Sequence, residues 1–386
     1  TQWHMEARPG DEVGGSACAH ADVRWHGVAP DRRWSHRASS IASEGAGRAH
    51  REAGEAGRER GRATAGPRVN WTSIDPLLVE LASCARQYVP EAPVAYGLAR
   101  ECLVDALAGA LAALRDPACT KLLGPIVPGA TMMGGARVPG TSFELDPVKA
   151  AFDLGTLINW CVPDTAEVPV GIERTADCLG GILAAADWHS RTRLATGGEP
   201  LTVRQLLRMS SAAHEIQRML GRDGVAEVGH PSRASRARIA TAATVTAMLG
   251  GTHGRVLAAA SYAVLDGAGA QDDPIQRSGR APARWALGDA TSRGVRLALI
   301  ALAEEPAGSL AQAHACAPAI EQPSALVPHS VDHPSSPRCG AEVTPSDRFR
   351  AAVRAHYSAR QATAIEALFT DPAALDAKPV HELVSA

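Results

Sequence analysis

The stretch from residue 146 to residue 188 constrains the fold of this chain more than any other part of the sequence. Its first part, DPVKAAFDLGTLINW, predicts one helix, and its last part, DCLGGILAAADW, predicts a second helix that is entered near Asp177. The residues between them include Asp164 and Thr165, so charged and hydroxyl side chains lie in a loop between two helix ends. A helical enzyme builds a substrate pocket from such a loop.

Composition favours an all-α fold around this stretch. The chain has 386 residues, of which 45% are hydrophobic but only 4% are aromatic. Its core must therefore consist mainly of Ala, Leu, Val and Ile, which suit closely packed helices better than a β-sandwich. Apolar residues at helical spacing predict further helices at 74–89, 93–114, 203–220, 235–249, 255–266 and 285–303.

Charge and cysteine usage exclude several classes of function. The formal net charge is -2 at pH 7, so no global field draws the chain to nucleic acid or to an anionic membrane, and a small soluble partner is expected. No apolar stretch approaches the ~20 residues that a bilayer span needs. The eight cysteines form no CxxC pair and no cluster that would hold iron and sulfur, which favours reduced thiols in a cytoplasmic protein without a metal.

Two segments predict irregular structure. Residues 1–70 hold almost no Leu or Ile, so they cannot bury enough apolar area to offset the entropy of ordering, and we predict a disordered N-terminal segment. Residues 305–346 contain seven prolines and no periodicity, which predicts an irregular linker. The ordered helical domain is therefore predicted at 71–304, with C-terminal helices at 347–386 that pack on it.

Several blocks, in one order, resemble the MmgE/PrpD family. They are DPVKAAFDLG, the W-x-x-x-D-T group that begins at Trp160, DCLGGILAAADW, AHEIQ at 213–217 and WALGDATSRGVRLAL at 285–299. The likeness is greatest to members that dehydrate 2-methylcitrate and weaker to those that decarboxylate cis-aconitate. It implies a hydro-lyase of the methylcitrate cycle in propionate catabolism, with a small tricarboxylate substrate and no cofactor. A homodimer is a further expectation.

The resemblance also implies catalytic positions. Dehydration needs a base for the carbon-bound proton and an acid for the departing hydroxyl. Asp164 and Thr165 match the end of the family's D-x-x-D-T segment, and His230 lies near the expected position of a later histidine. We predict these three residues as catalytic. On local sequence alone, Asp164 and Thr165 also fit a helix cap or a turn.

Three further residues are predicted to bind the substrate. Asp177 matches the aspartate of the family's G-H-P-S-D segment, although a helix N-cap is an equal alternative for it. Arg174 stands where that segment has its histidine. Arg284 lies beside Ala283, where the family has a lysine. Both guanidinium groups suit substrate carboxylates.

The departures from the family lie where protons are transferred. The first family aspartate falls at Cys161-Val162-Pro163, and arginine at 174 stays protonated near neutral pH, so it cannot act as a base. In the family an α+β lid domain separates the GDATSR helix from the C-terminal helices, and here only residues 305–346 stand in its place. We therefore expect an all-α helical domain with the lid largely missing and with impaired or absent activity. The alternatives are a non-catalytic helical remnant, at most a binding or dimerisation module, and a decarboxylase of a related tricarboxylate.

Overall fold

The structure, a computed structural model, describes residues 76–90, 93–161, 175–221, 232–266, 284–304 and 344–385. All of these residues belong to one compact unit, Trp71–Ala386. Within them the fold is mainly helical, which confirms the predicted class, and two short strands are added to it. Residues 1–70 and most of the predicted linker at 305–346 lie outside the described ranges, so the domain boundaries stay predictions.

The described elements are helices and two strands of two residues each. The helices are α1 (Pro76–Gln87), α2 (Pro93–Ala113), α3 (Pro117–Thr120), α4 (Pro147–Trp160), α5 (Ala176–Ala195), α6 (Val203–Gly221), α7 (Arg233–Met248), α8 (His253–Leu265), α9 (Ala286–Ala303), α10 (Pro345–His356), α11 (Ala359–Thr370), α12 (Pro372–Ala377) and α13 (Val380–Ser385). The strands β1 (Ala136–Arg137) and β2 (Glu144–Leu145) pair antiparallel, with Ala136 opposite Leu145. None of the described helices is long and apolar enough to cross a membrane.

Local capping explains where helices begin. The Asp146 carboxylate accepts hydrogen bonds from the N–H groups of Val148 and Lys149, both at 3.0 Å, and so starts α4. The hydroxyl of Thr344 accepts from the N–H of Asp347 at 3.1 Å, and a proline follows it at the first helical position. Helix α10 therefore begins two residues before the predicted boundary at 347, because a capping residue followed by proline favours a start there.

Helix α4 lies in the centre of the domain, between α5 and α9. A Cβ atom built on Gly180 of α5 would lie 2.4 Å from the backbone nitrogen of Gly155 in α4. A Cβ on Gly155 would lie 2.6 Å from the hydroxyl of Thr291 in α9. The three helices therefore approach backbone to backbone, and only glycine fits at these contacts.

Pairs of contacts fix the directions of α4 and α9. Gly288, at the start of α9, faces Thr156 near the end of α4. Ser292, one turn later, donates a hydrogen bond of 2.9 Å to the carbonyl of Val148 near the start of α4. The two helices are therefore antiparallel.

Helices α5, α7 and α9 run in the same direction. Asp177 and Gly181 of α5 contact Arg233 and Thr241 of α7, respectively. Thr241 also contacts Gly294 of α9, and a Cβ on Gly251, just beyond α7, would lie 3.2 Å from Leu302 near the end of α9. The starts of α5, α7 and α9 consequently lie on the same side of the domain as the end of α4. We call this side the N-terminal face.

The C-terminal helices pack against the earlier ones. Arg100 of α2 makes a two-point ion pair with Asp376 of α12, at 2.8 and 2.7 Å. The backbone N–H of Val380 donates to the carbonyl of Leu201 at 2.8 Å, next to the start of α6. Phe349 of α10 contacts Phe369 of α11, with 4.5 Å between the ring centres.

A buried ion pair holds the chain that leads into β1. Asp153 of α4 is fully buried. Its carboxylate pairs with Lys149 and accepts a hydrogen bond of 2.8 Å from the N–H of Gly124. Burial raises the pKa of Asp153 from its ordinary 3.8 to about 6, although the nearby Lys149 charge opposes the shift.

The raised pKa of Asp153 predicts a pH-dependent contribution to stability. Because the folded pKa exceeds the unfolded one, this contribution is fully present below about pH 4 and is lost as pH rises through about 6. Asp153→Asn removes the titrating group. When pH falls from 7 to 4, wild type should gain on the order of 2 kcal/mol in unfolding free energy relative to the variant. Urea unfolding of both proteins at these two pH values measures the difference, and parallel pH profiles would contradict the assignment.

Candidate functional site

The N-terminal face provides a setting for anionic groups. Helix starts carry N–H groups without a helical partner and the positive end of the helix dipole, so both features favour a bound carboxylate. The starts of α5 and α7 are adjacent here, and the start of α9 lies beside the end of α4. An anionic group at this face would therefore lie near three helix starts.

An Asp–Arg pair joins the starts of α5 and α7. Both oxygens of Asp177 accept hydrogen bonds from Arg233, one from Nε and one from Nη2, each at 2.6 Å. The Asp177 side chain is 1% exposed and the Arg233 side chain is 32% exposed. Cys178, the next residue, contacts the carbonyl of Ala237 at 3.5 Å and holds the two helices together. Asp177 thus fixes the direction of a partly exposed guanidinium.

The position of Asp177 in α5 settles one of its two predicted roles, the N-cap, but not the other, substrate binding. Thr175 is the N-cap of α5, so the alternative of Asp177 as N-cap is wrong. Asp177 lies instead in the first turn, where a negative charge is favourable. Its direct contact with substrate stays a prediction, because in this structure its oxygens are engaged by Arg233.

The sequence reasoning missed Arg233. Three arginines, at 233, 236 and 238, lie in the first two turns of α7. Positive charges are unfavourable near a helix start, so such a cluster indicates that partners outside the helix hold these arginines. Once the start of α7 is known, the sequence indicates that these arginines need partners. It does not indicate that Asp177 is the partner of Arg233.

Arg284 lies over the end of α4. Its guanidinium carbon is 5.4 Å from the ring centre of Trp160, within the range of a cation–π contact. The indole N–H of Trp160 donates a 2.7 Å hydrogen bond to Asp116. This bond, the N–H of Ala118 and the Arg284 charge lower the pKa of the Asp116 carboxyl. Arg284 is exposed and lies just before the start of α9.

The structure describes only two of the six predicted site residues. Asp177 and Arg284 are both at the N-terminal face, but they have different partners there and are not in contact with each other. The other four, Asp164, Thr165, Arg174 and His230, lie outside the described residues. The roles of all six residues stay predictions.

Two of the described thiols are poor nucleophiles, and no metal cluster is found among the described residues. Burial raises the pKa of Cys84 and of Cys119 to about 12, so these thiols stay protonated near neutral pH. Within the described ranges, no group of three His, Cys, Asp or Glu residues is arranged to hold a metal ion. The predicted absence of a metal stays a prediction.

Comparison with known proteins identifies relatives of this helical domain. The model of the MmgE/PrpD N-terminal domain matches residues 79–315. A 2-methylcitrate dehydratase from Cupriavidus necator is 42% identical over 227 residues, which cover 59% of this chain and 47% of that protein. A 2-methylcitrate dehydratase from Salmonella typhimurium is 42% identical over 228 residues, with the same coverage. The mitochondrial 2-methylcitrate dehydratase of Yarrowia lipolytica is 34% identical over 229 residues, which cover 59% of this chain and 44% of that protein. The chain therefore spans about half the length of the curated relatives it matches.

Proposed function

Because this chain belongs to the MmgE/PrpD family, whose N-terminal domain matches residues 79–315, we propose that it is a 2-methylcitrate dehydratase-like protein with impaired or absent turnover. In this proposal the helical domain keeps the part of the site that binds a tricarboxylate. The protein belongs to propionate catabolism in the cytoplasm and uses no metal. Its relatives in Cupriavidus necator, Salmonella typhimurium and Yarrowia lipolytica are 2-methylcitrate dehydratases, which supports the choice of substrate.

One observation carries the binding part of the proposal. At the N-terminal face, three helix starts occur together with the Arg233 guanidinium, which Asp177 holds in a fixed direction. Carboxylates bind arginine through charge-assisted hydrogen bonds, and a guanidinium that is already oriented loses little entropy on binding. Arg284 adds a second positive charge on the same face. Arg174 is proposed as a further carboxylate ligand because of its place in the sequence.

The proposal of impaired turnover rests on the positions at which this sequence differs from the family. Asp164, Thr165 and His230 are the proposed catalytic residues, but Arg174 and Ala283 stand where the family has titrating side chains. The lid is proposed to be largely missing, because only residues 304–344 separate α9 from the C-terminal helices. Without a lid, bound substrate stays in contact with water, and electrostatic stabilisation is weaker.

A non-catalytic helical module that binds or dimerises is the second candidate. The exposed apolar side chains between α3 and β1 favour it; they are Ile126, Val127, Met132 and Met133. The two candidates differ in one property, since only the first requires a tricarboxylate to bind at the N-terminal face.

Calorimetric titration with 2-methylcitrate tests the proposed function. Wild type should bind, and Arg284→Gln and Arg233→Gln should each weaken binding by roughly 10-fold, because a charge-assisted hydrogen bond contributes about 1.5 kcal/mol or more. Arg360→Gln, at an exposed position on α11, is the matched control and should bind like wild type. Arg233→Gln leaves Asp177 buried without its partner, so its fold must be checked by circular dichroism. Arg284→Gln has no such cost. Wild type that does not bind, or an unchanged affinity in both variants, would refute the binding site.

A further inference from the structure

A cavity lies between the C-terminal helices and the helices that precede them. Its volume is about 40 Å³, roughly three times the ~10–15 Å³ that one water molecule needs. Helices α2, α4 and α5 line it, and so do the C-terminal helices α10, α11 and α13. A packed protein interior has few voids larger than a water molecule, so this cavity is a candidate binding site.

The lining of the cavity is apolar. Among the described residues that line it, only Tyr357 has a polar group in its side chain. Burial raises the pKa of the Tyr357 phenol, although a hydrogen bond from the backbone of Gly140 opposes the shift, so the phenol is uncharged near neutral pH. Buried water needs about two to four polar partners, which the described lining does not provide. A charged group would lose its hydration here without meeting an opposite charge. The cavity therefore fits a neutral, apolar ligand.

Aromatic rings are concentrated around the cavity. The chain has only four Phe and four Tyr residues, and Phe349, Phe369 and Tyr357 all contribute to this lining. The rings of Phe349 and Phe369 are tilted by 52°, with 4.5 Å between their centres. Aromatic rings attract one another in offset and edge-to-face arrangements, and a rigid ring loses little conformational entropy on binding. The lining therefore favours a ligand with an aromatic ring over a flexible alkyl chain.

We propose that this cavity binds a neutral molecule with a single aromatic ring. Such a ligand contacts Phe349 of α10 and Phe369 of α11 together with Leu154 of α4 and Leu183 of α5, so it links the C-terminal helices to the centre of the domain. A ligand that binds only the folded chain stabilises it by mass action. The cavity shares no lining residue with the proposed tricarboxylate site. The proposal therefore stands or falls independently of the proposed function.

Calorimetric titration with toluene tests the proposal, with benzylamine as the charged comparison. One toluene should bind per chain with a Kd of about 1 mM or lower, an affinity within reach of a ligand with about seven non-hydrogen atoms. Benzylamine should bind at least ~10-fold more weakly, because its ammonium group would have to lose its hydration. Toluene should also slow amide hydrogen exchange in α10 and α11, since it contacts both helices.

A variant that fills the cavity separates this site from other places where toluene could bind. Ala110 lies on α2 and lines the cavity, so the side chain of Ala110→Leu would occupy the space of the ring and lower toluene affinity at least ~10-fold. Ala112→Leu is the matched control, because Ala112 lies on the same helix but is exposed. It should bind toluene like wild type. If circular dichroism shows that Ala110→Leu does not fold, Ala110→Val adds a smaller group and should lower the affinity at least ~3-fold.

The proposal would be overturned if wild type did not bind toluene, or if the folded Ala110 variant bound toluene as tightly as Ala112→Leu. Benzylamine that binds as tightly as toluene would also overturn it. So would toluene binding that leaves amide exchange in α10 and α11 unchanged.

Discussion

Purified protein is expected to convert no 2-methylcitrate above the uncatalysed background. Loss of one general acid or base typically costs ~10²-fold to 10⁴-fold in rate, and the proposal places Arg174 and Ala283 at positions where the family has titrating side chains. The proposed absence of the lid adds a further loss, since positioning and exclusion of water would both weaken. The conjugated alkene product absorbs in the ultraviolet, so a continuous absorbance assay measures the rate directly. A full-length dehydratase assayed in parallel is the positive control.

Restoring one titrating group should recover little activity. Arg174→His returns an imidazole to the position implied by the resemblance, but the proposed absence of the lid remains. Robust turnover by the unmodified chain would show that the catalytic groups had been assigned to the wrong positions. In that event Asp164 and His230 would be the first residues to change. Binding without turnover supports the impaired dehydratase, whereas the absence of both supports the non-catalytic module.

Gly180→Ala is expected to destabilise the domain by about 3 kcal/mol or more, because an extra methyl group in a packed interior forces its neighbours apart. The added Cβ would lie 2.4 Å from the nitrogen and 2.5 Å from the Cα of Gly155. Both atoms are helix backbone, which cannot rotate away as a side chain does. Helices α4 and α5 would have to separate, and the end of α4 would move relative to the start of α5 at the N-terminal face. A fall of roughly 10 °C in Tm by calorimetry is expected.

Gly97→Ala is the matched control for this prediction. Gly97 lies within helix α2, and a Cβ there meets no atom within 4 Å. The same substitution should therefore stabilise the protein by about 0.5–1 kcal/mol, because alanine favours the helix over glycine. If Gly180→Ala were tolerated as well as Gly97→Ala, the close approach of α4 and α5 would be wrong.

The loop between α3 and α4 shows a limit of prediction from sequence alone. Its residues, 121–146, are rich in glycine and proline, which is typical of a loop, and the structure has only two short strands there, Ala136–Arg137 and Glu144–Leu145. A loop sequence does not tell whether its apolar side chains are covered by other elements. Ile126 and Met133 became candidates for an interface only when their exposure was known.

The sequence by itself determined the mainly helical class, the approximate helix bounds and the family. Apolar periodicity and capping residues such as Asp146 are local properties, so they can be read along the chain without knowledge of the fold. Only the tertiary structure decided what depends on distant partners. The direction of the Arg233 guanidinium depends on Asp177, 56 residues earlier. The need for glycine at position 180 depends on Gly155 on another helix. Asp153 titrates near pH 6 because burial removes its charge from water, although a lysine lies one turn away. Such effects arise from contacts between elements, and local sequence does not specify which elements will meet.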